Sequence, residues 1–86
     1  QQLMLQNPTL RVLVEGHTDN VGDPTANLQL SKERATFVRD RLIAEFQVDS
    51  TRLVGTDGFG DTKPRAANDT PQGRRQNRRV ELVRIP

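Results

Sequence analysis

The sequence predicts an α+β domain, a single sheet with helices packed on one face, and three observations carry that reading. Leu10 to Gly16 alternates with a period of two: Leu10, Val12 and Val14 point one way, and Arg11, Leu13 and Glu15 the other. The stretch ending at Phe46 has a helical period instead, with Ala35, Val38, Leu42 and Phe46 at steps of three and four, widened by Leu30, Phe37 and Ile43. Two further short apolar runs, Arg52 to Gly58 and Arg79 to Ile85, are separated by a polar loop rich in proline and asparagine. Strand, helix and strand in that order bring the second strand back parallel to the first, so the layers are sheet and helix rather than sheet and sheet.

The elements follow in order. Gln1 to Gln6 reads as the end of a helix stopped by Asn7-Pro8. The strand from Leu10 runs into a loop from His17 to Asn27, dense in Asp, Asn, Gly and Pro. Asn27 is placed to cap the long helix, which begins there or at Leu28. Asp49 to Arg52 is a turn, and Gly55, Gly58 and Gly60 give a bend after the second strand its backbone freedom. Lys63 to Gly73 is a long polar loop, and in the last strand Val80 and Leu82 share one face, Val83 and Ile85 the other.

With 86 residues the chain holds one small domain, 1–86. Hydrophobic residues at 33% and charged residues at 28% make it polar for a globular domain without making it disordered. There is no cysteine, which removes disulfides and thiolate metal sites. No apolar run approaches the roughly 20 residues that span a bilayer, and the N-terminus has no signal-peptide pattern. The abrupt start, Gln1-Gln2-Leu3-Met4-Leu5, reads as a fragment of a longer protein whose membrane attachment lies elsewhere.

Net charge is +2, unevenly spread: seven of the thirteen basic residues lie between Lys63 and Arg84. A run such as Arg74-Arg75-Gln76-Asn77-Arg78-Arg79 invites a phosphate-binding reading. Against nucleic acid, the only aromatics are three Phe, and Phe37 and Phe46 belong to the helix's apolar stripe, leaving little on which bases stack. Catalytic readings find no cysteine, no tyrosine and no Ser–His spacing. The three glycines lack the order of a dinucleotide fingerprint. His17, the single histidine, joins a metal set only with Asp19 and Asp23, and reads better as a hydrogen-bonded histidine at the strand end.

Asp19, just past a strand end, and Arg34, 15 positions later and well inside the helix, are expected side by side across the strand-loop-helix unit. A carboxylate beside a guanidinium is either a structural ion pair or a clamp for a zwitterion. In the clamp, Asp19 accepts from an ammonium and Arg34 forks onto a carboxylate.

The string Val14-Glu15-Gly16-His17-Thr18-Asp19-Asn20-Val21-Gly22 resembles the V-E-G-H-T-D-x-x-G signature of the OmpA-like, peptidoglycan-associated domain. Asn27-x-x-Leu30-Ser31-x-x-Arg34-Ala35-x-x-Val38 is similar to its helix motif. Gly58-Phe59-Gly60, Pro64, Asn68-Asp69-Thr70, Gly73-Arg74 and Asn77-Arg78-Arg79-Val80-Glu81 follow in family order, from about Val12 to Leu82. Several separated motifs in order are far more specific than any one of them.

The resemblance implies a βαβαββ-type two-layer sandwich, here without its first strand and most of its first helix. It implies a non-enzymatic module, with no cofactor or metal, that binds peptidoglycan through the meso-diaminopimelate of the stem peptide. That would anchor a membrane-attached parent in the periplasm of a Gram-negative envelope, at the outer membrane. Family roles carried over by motif put the ligand's amino-acid end on Asp19 and Arg34. Thr18, Asn27 and either Arg78 or Arg79 line the site. The alternative is a protein–protein interaction module of an envelope complex that docks its partner through the basic loop.

Overall fold

The computed structural model describes residues 9–85. The helix end expected at Gln1 to Gln6 and its stop at Asn7-Pro8 lie outside them. The elements are strand β1 (Arg11–His17), helix α1 (Pro24–Phe46), a 3-10 turn (Ser50–Arg52), strand β2 (Leu53–Gly58), helix α2 (Pro71–Asn77) and strand β3 (Arg79–Ile85). The sheet order is β2-β1-β3, with β2 parallel and β3 antiparallel to β1. This is the expected α+β sandwich, with α1 as the crossover between the two parallel strands.

Period-two alternation in β1 builds the core. Val12 and Val14 are fully buried beneath α1, joined by Leu10, Ala35, Leu42, Val48 and Leu53. Leu13, Glu15 and His17 therefore project from the opposite face of the sheet. Two glycines set how close the layers come. A Cβ on Gly16 would lie 2.0 Å from the backbone oxygen of Ser31, and one on Gly58 would lie 2.5 Å from the Lys32 nitrogen. Gly16 and Gly58 are register partners across β1 and β2, so together they make a smooth seat for one turn of α1. Ser31 fills that seat: its hydroxyl donates to Leu28 O (2.7 Å) and accepts from Gly60 N (2.9 Å).

The termini of α1 differ from expectation. The helix starts at Pro24, and its cap is Asp23, whose Oδ2 accepts from Ala26 N (3.3 Å); Asn27 lies inside the first turn. Pro24 looked like a loop residue, yet proline is favoured at the first helical position, where its missing N–H is not needed. At the other end Gln47 takes a left-handed conformation (φ 54°), and Val48 N reaches back to Leu42 O (3.1 Å). That closure turns Val48 into the core.

Three expectations about burial and helix content are corrected. Leu30, Phe37 and Phe46, assigned to the apolar stripe of α1, are exposed, at 37%, 60% and 36%. The three-stranded sheet covers the stripe of Ala35 and Leu42 instead. Within the stretch read as loop and basic run, Pro71–Asn77 forms α2, capped by Thr70, whose Oγ1 accepts from Gly73 N (3.0 Å). This helix shows no apolar periodicity because it packs through Gly73 and Asn77 alone. Gly55, grouped with the bend glycines, lies within β2.

Gly16→Ala is expected to destabilise the domain by about 3 kcal/mol or more, since the clash is with backbone. Gly55→Ala, which meets only the end of the Leu13 side chain at 3.2 Å, is expected to change stability by less than about 1 kcal/mol. Urea unfolding of the two variants checks the contrast.

Candidate functional site

The site is built where β1 ends. The antiparallel register pairs His17 with Arg79, and one further step sets Arg78 opposite Thr18. The parallel register ends at Gly16 with Gly58, so the turn after β2 closes the other side. There Thr18 N donates to Gly60 O (2.9 Å) and Phe59 N to Gly16 O (3.1 Å). Thr18 and Asp19 are thereby buried, at 4% and 7% exposure, although they sit in a loop.

Asp19 is held from three directions. Its Oδ1 accepts from Val21 N (3.0 Å), a local turn bond. Its Oδ2 accepts from Arg78 Nη1 at 2.7 Å, a charge-assisted bond. Its backbone oxygen accepts from the Thr18 hydroxyl (2.8 Å) and, weakly, from Asn27 Nδ2 (3.4 Å), which also reaches Val21 O (2.9 Å). The Arg78 bond, aided by the Val21 amide and the charge of Arg74, outweighs burial and holds the Asp19 carboxyl below its ordinary pKa. Asp19 is therefore ionised at any pH near neutrality.

The expected pairing of Asp19 with Arg34 is not formed; the partner is Arg78. Arg34 lies on the exposed side of α1 and makes no hydrogen bond or ion pair with a described residue. Its spacing from Asp19 suggested contact, but it stands about 10 Å along the helix beyond Asn27, two turns deeper. It does share the stripe of Asn27, the residue that braces the Asp19 loop. Thr18 and Asn27 act on that loop through hydrogen bonds, as positioning residues.

Arg78 and Arg79 occupy different faces. Arg78 points to Asp19 and stays half exposed, at 44%. Arg79 is tied on the opposite face, donating to Glu81 Oε1 (3.2 Å), Asn77 O (3.2 Å) and Lys63 O (3.1 Å). Arg74 likewise donates to Asn68 O (2.9 Å). Much of the basic run thus holds the fold together.

Asn77 is a residue whose role spacing did not reveal. It is fully buried. Its Oδ1 accepts from Arg65 N (2.7 Å) and Ala66 N (2.9 Å), and its Nδ2 donates to Ala66 O (3.0 Å) and Asn68 Oδ1 (2.7 Å). All four of its hydrogen-bonding positions are used, which fixes the 65–68 loop against α2 just before Arg78. The available signal was its place beside two arginines at a strand start.

His17 is also corrected. It is buried, at 1% exposure, and stacks on Phe59 (5.5 Å, 24°), but neither ring nitrogen makes a hydrogen bond. Its neighbours are Glu15 and Glu81, while Asp19 and Asp23 point into other contacts.

The OmpA family model matches residues 1–78, and the chain belongs to that family. It is 47% identical over 78 residues to outer membrane porin F of Pseudomonas aeruginosa, covering 91% of this chain and 22% of the relative. Peptidoglycan-binding protein ArfA of Mycobacterium tuberculosis is 43% identical over 76 residues, covering 88% of this chain and 23% of the relative. The chain thus spans about a fifth of the length of these curated relatives. Among solved structures, the peptidoglycan-associated lipoprotein from Burkholderia pseudomallei superposes with a TM-score of 0.82 at 31% identity, over 98% of this chain and 70% of that one. Among the described residues, no helix is long and apolar enough to cross a membrane.

Asn77→Ala strands the Arg65 and Ala66 amides and is expected to cost about 2–4 kcal/mol. Arg78→Ala, whose guanidinium is screened by water, is expected to cost less than about 1 kcal/mol; thermal or urea unfolding compares them. A carboxyl with a depressed folded pKa stabilises above its ordinary value of about 3.9 and loses that contribution as pH falls through the folded value. Asp19→Asn should therefore lose less stability than wild type on acidification from about pH 5 to pH 2.

Proposed function

We propose that the domain binds peptidoglycan without covalent chemistry, through the free amino-acid end of meso-diaminopimelate in the stem peptide. The observation that carries the reading is the ionised Asp19 carboxylate, held at the rim of a braced loop beside the half-exposed Arg78 guanidinium. An ammonium and a carboxylate on one carbon match that pair. The ligand ammonium takes Asp19. The ligand carboxylate takes Arg78 and Arg34, whose long side chain leans toward the helix N-terminus and so toward the Asn27 turn. Thr18 and Asn27 keep the loop in place. Family membership supports this reading, as does similarity to a peptidoglycan-binding protein and to a peptidoglycan-associated lipoprotein.

The domain then acts in the periplasm as an anchor for an envelope-attached parent. A single small ligand binds weakly, and retention comes from many sites engaging one wall. Selectivity follows from the second charge. A lysine-type peptide keeps the ammonium but lacks the carboxylate, which leaves the cations unpaired. Docking of a partner protein through the basic loop is the weaker reading, because Arg74 and Arg79 are occupied by internal acceptors.

Calorimetric titration with a diaminopimelate-containing stem tripeptide tests the proposal. Binding is expected, with Asp19→Asn and Arg34→Ala each weakening it more than about tenfold, and a lysine-type tripeptide binding more than about tenfold worse. Equal binding of the two peptides, or full binding by both folded variants, would sink it.

A further inference from the structure

The face of the sheet away from α1 carries an arrangement that the wall-binding reading does not use. On β1, Glu15 and His17 share that face, and the β3 register sets Glu81 opposite Glu15 and Arg79 opposite His17. Two carboxylates facing each other across an antiparallel pair repel. Glu81 Oε1 is taken up by Arg79 (3.2 Å) and, more distantly, by Arg65 (3.9 Å). Its Oε2 lies 3.6 Å from His17 Nε2, and Glu15 Oε1 lies 3.5 Å from the same nitrogen.

Those distances are too long for hydrogen bonds. His17 is nevertheless 1% exposed and both its ring nitrogens lack partners. A buried polar group left so is costly unless something else completes it. The ring cannot easily turn away. Phe59 stacks on it, and Lys63 Nζ lies over the Phe59 ring, 3.7 Å from its centroid. Nε2 therefore stays aimed between two carboxylates.

We propose that Glu15, His17 and Glu81 form a site for one divalent transition-metal cation, with Zn²⁺ the best match. The donor set of one imidazole nitrogen and two carboxylate oxygens is a zinc set, and it leaves a fourth position open on the side of the partly exposed Glu81. The spacing agrees. Arms of about 2.1 Å in a tetrahedron put ligand atoms about 3.4 Å apart, against 3.5 and 3.6 Å here. The three ligand atoms all lie within 4.8 Å of one another. Burial, with the charge of Arg79, outweighs the two carboxylates and keeps the imidazole below its ordinary pKa, in the neutral form that ligates. Arg79 and, more distantly, Arg65 sit on Glu81 Oε1, which leaves Glu81 Oε2 and Glu15 Oε1 facing the imidazole. This site lies on a different face from Asp19 and does not rest on the peptidoglycan proposal.

The test uses tag-free protein, stripped with chelator and titrated with ZnCl₂ or MgCl₂ at neutral pH. The single histidine makes the nitrogen NMR signals unambiguous. Expected are saturation at one Zn²⁺ per chain, a shift of the His17 Nε2 resonance with Nδ1 little changed, and no response to Mg²⁺, which prefers six oxygens. Glu81→Gln, at a partly exposed position, should keep the fold and weaken Zn²⁺ binding more than tenfold, with His17→Ala as the second variant. An unmoved Nε2 signal at tenfold excess Zn²⁺, or unchanged affinity in folded Glu81→Gln, would overturn the site. So would a His17 found doubly protonated at neutral pH, because the carboxylates would then hold a proton in the cation's place.

Discussion

Everything at the working end of this domain depends on β1 being paired on both sides, parallel to β2 and antiparallel to β3. Parallel pairing brings the end of β2 to the end of β1, and antiparallel pairing brings the start of β3 to the same place. The loop after β1 is thus enclosed by Gly60 on one flank and Arg78 on the other. The residue that completes the Asp19 pair is consequently 59 positions away in sequence. The close seat of Ser31 on Gly16 and Gly58 adds the third wall, since it fixes the first turns of α1, and Asn27 with them, above the same loop.

The division of labour among the cations follows from that geometry. Side chains alternate across β3 and the segment leading into it, so neighbouring Arg78 and Arg79 leave on opposite faces. Arg78 keeps a half-exposed guanidinium beside an ionised carboxylate, an arrangement open to a zwitterion. Arg79 is sealed by three internal acceptors and shapes the surroundings of His17 instead. Two adjacent residues of one type thus enter two separate surroundings, and Asn77 just before them ties the 65–68 loop to the end of α2 with its four hydrogen bonds.

Much of the fold was legible in the sequence because it is written in short-range periodicity. Val12 and Val14 alternate into the core, and Ala35 and Leu42 recur at helical spacing. The ordered motifs also identified the family. What was not legible is long-range or depends on competing local signals. Asp23-Pro24 and Thr70-Pro71 both start helices, but proline in a polar segment reads equally as a loop residue, which shifts the expected cap to Asn27 and hides α2. Spacing along the chain suggested an Asp19–Arg34 contact, whereas strand register delivers Arg78. Glu81 belongs with His17 for the same reason: only the pairing of β1 with β3 unites residues 64 positions apart. The exposure of Phe37 was hidden because an apolar stripe says which residues seek cover, not how wide the covering sheet is.

The central claim is that one amino-acid end is received between the Asp19 loop and the cations Arg78 and Arg34. Nitrogen-detected NMR of the arginine Nε–H groups during titration with the diaminopimelate tripeptide tests it most directly. The account predicts that the Arg34 and Arg78 signals move together along one binding curve while the sealed Arg79 signal stays in place. Saturable binding that leaves Arg34 and Arg78 unmoved would contradict it.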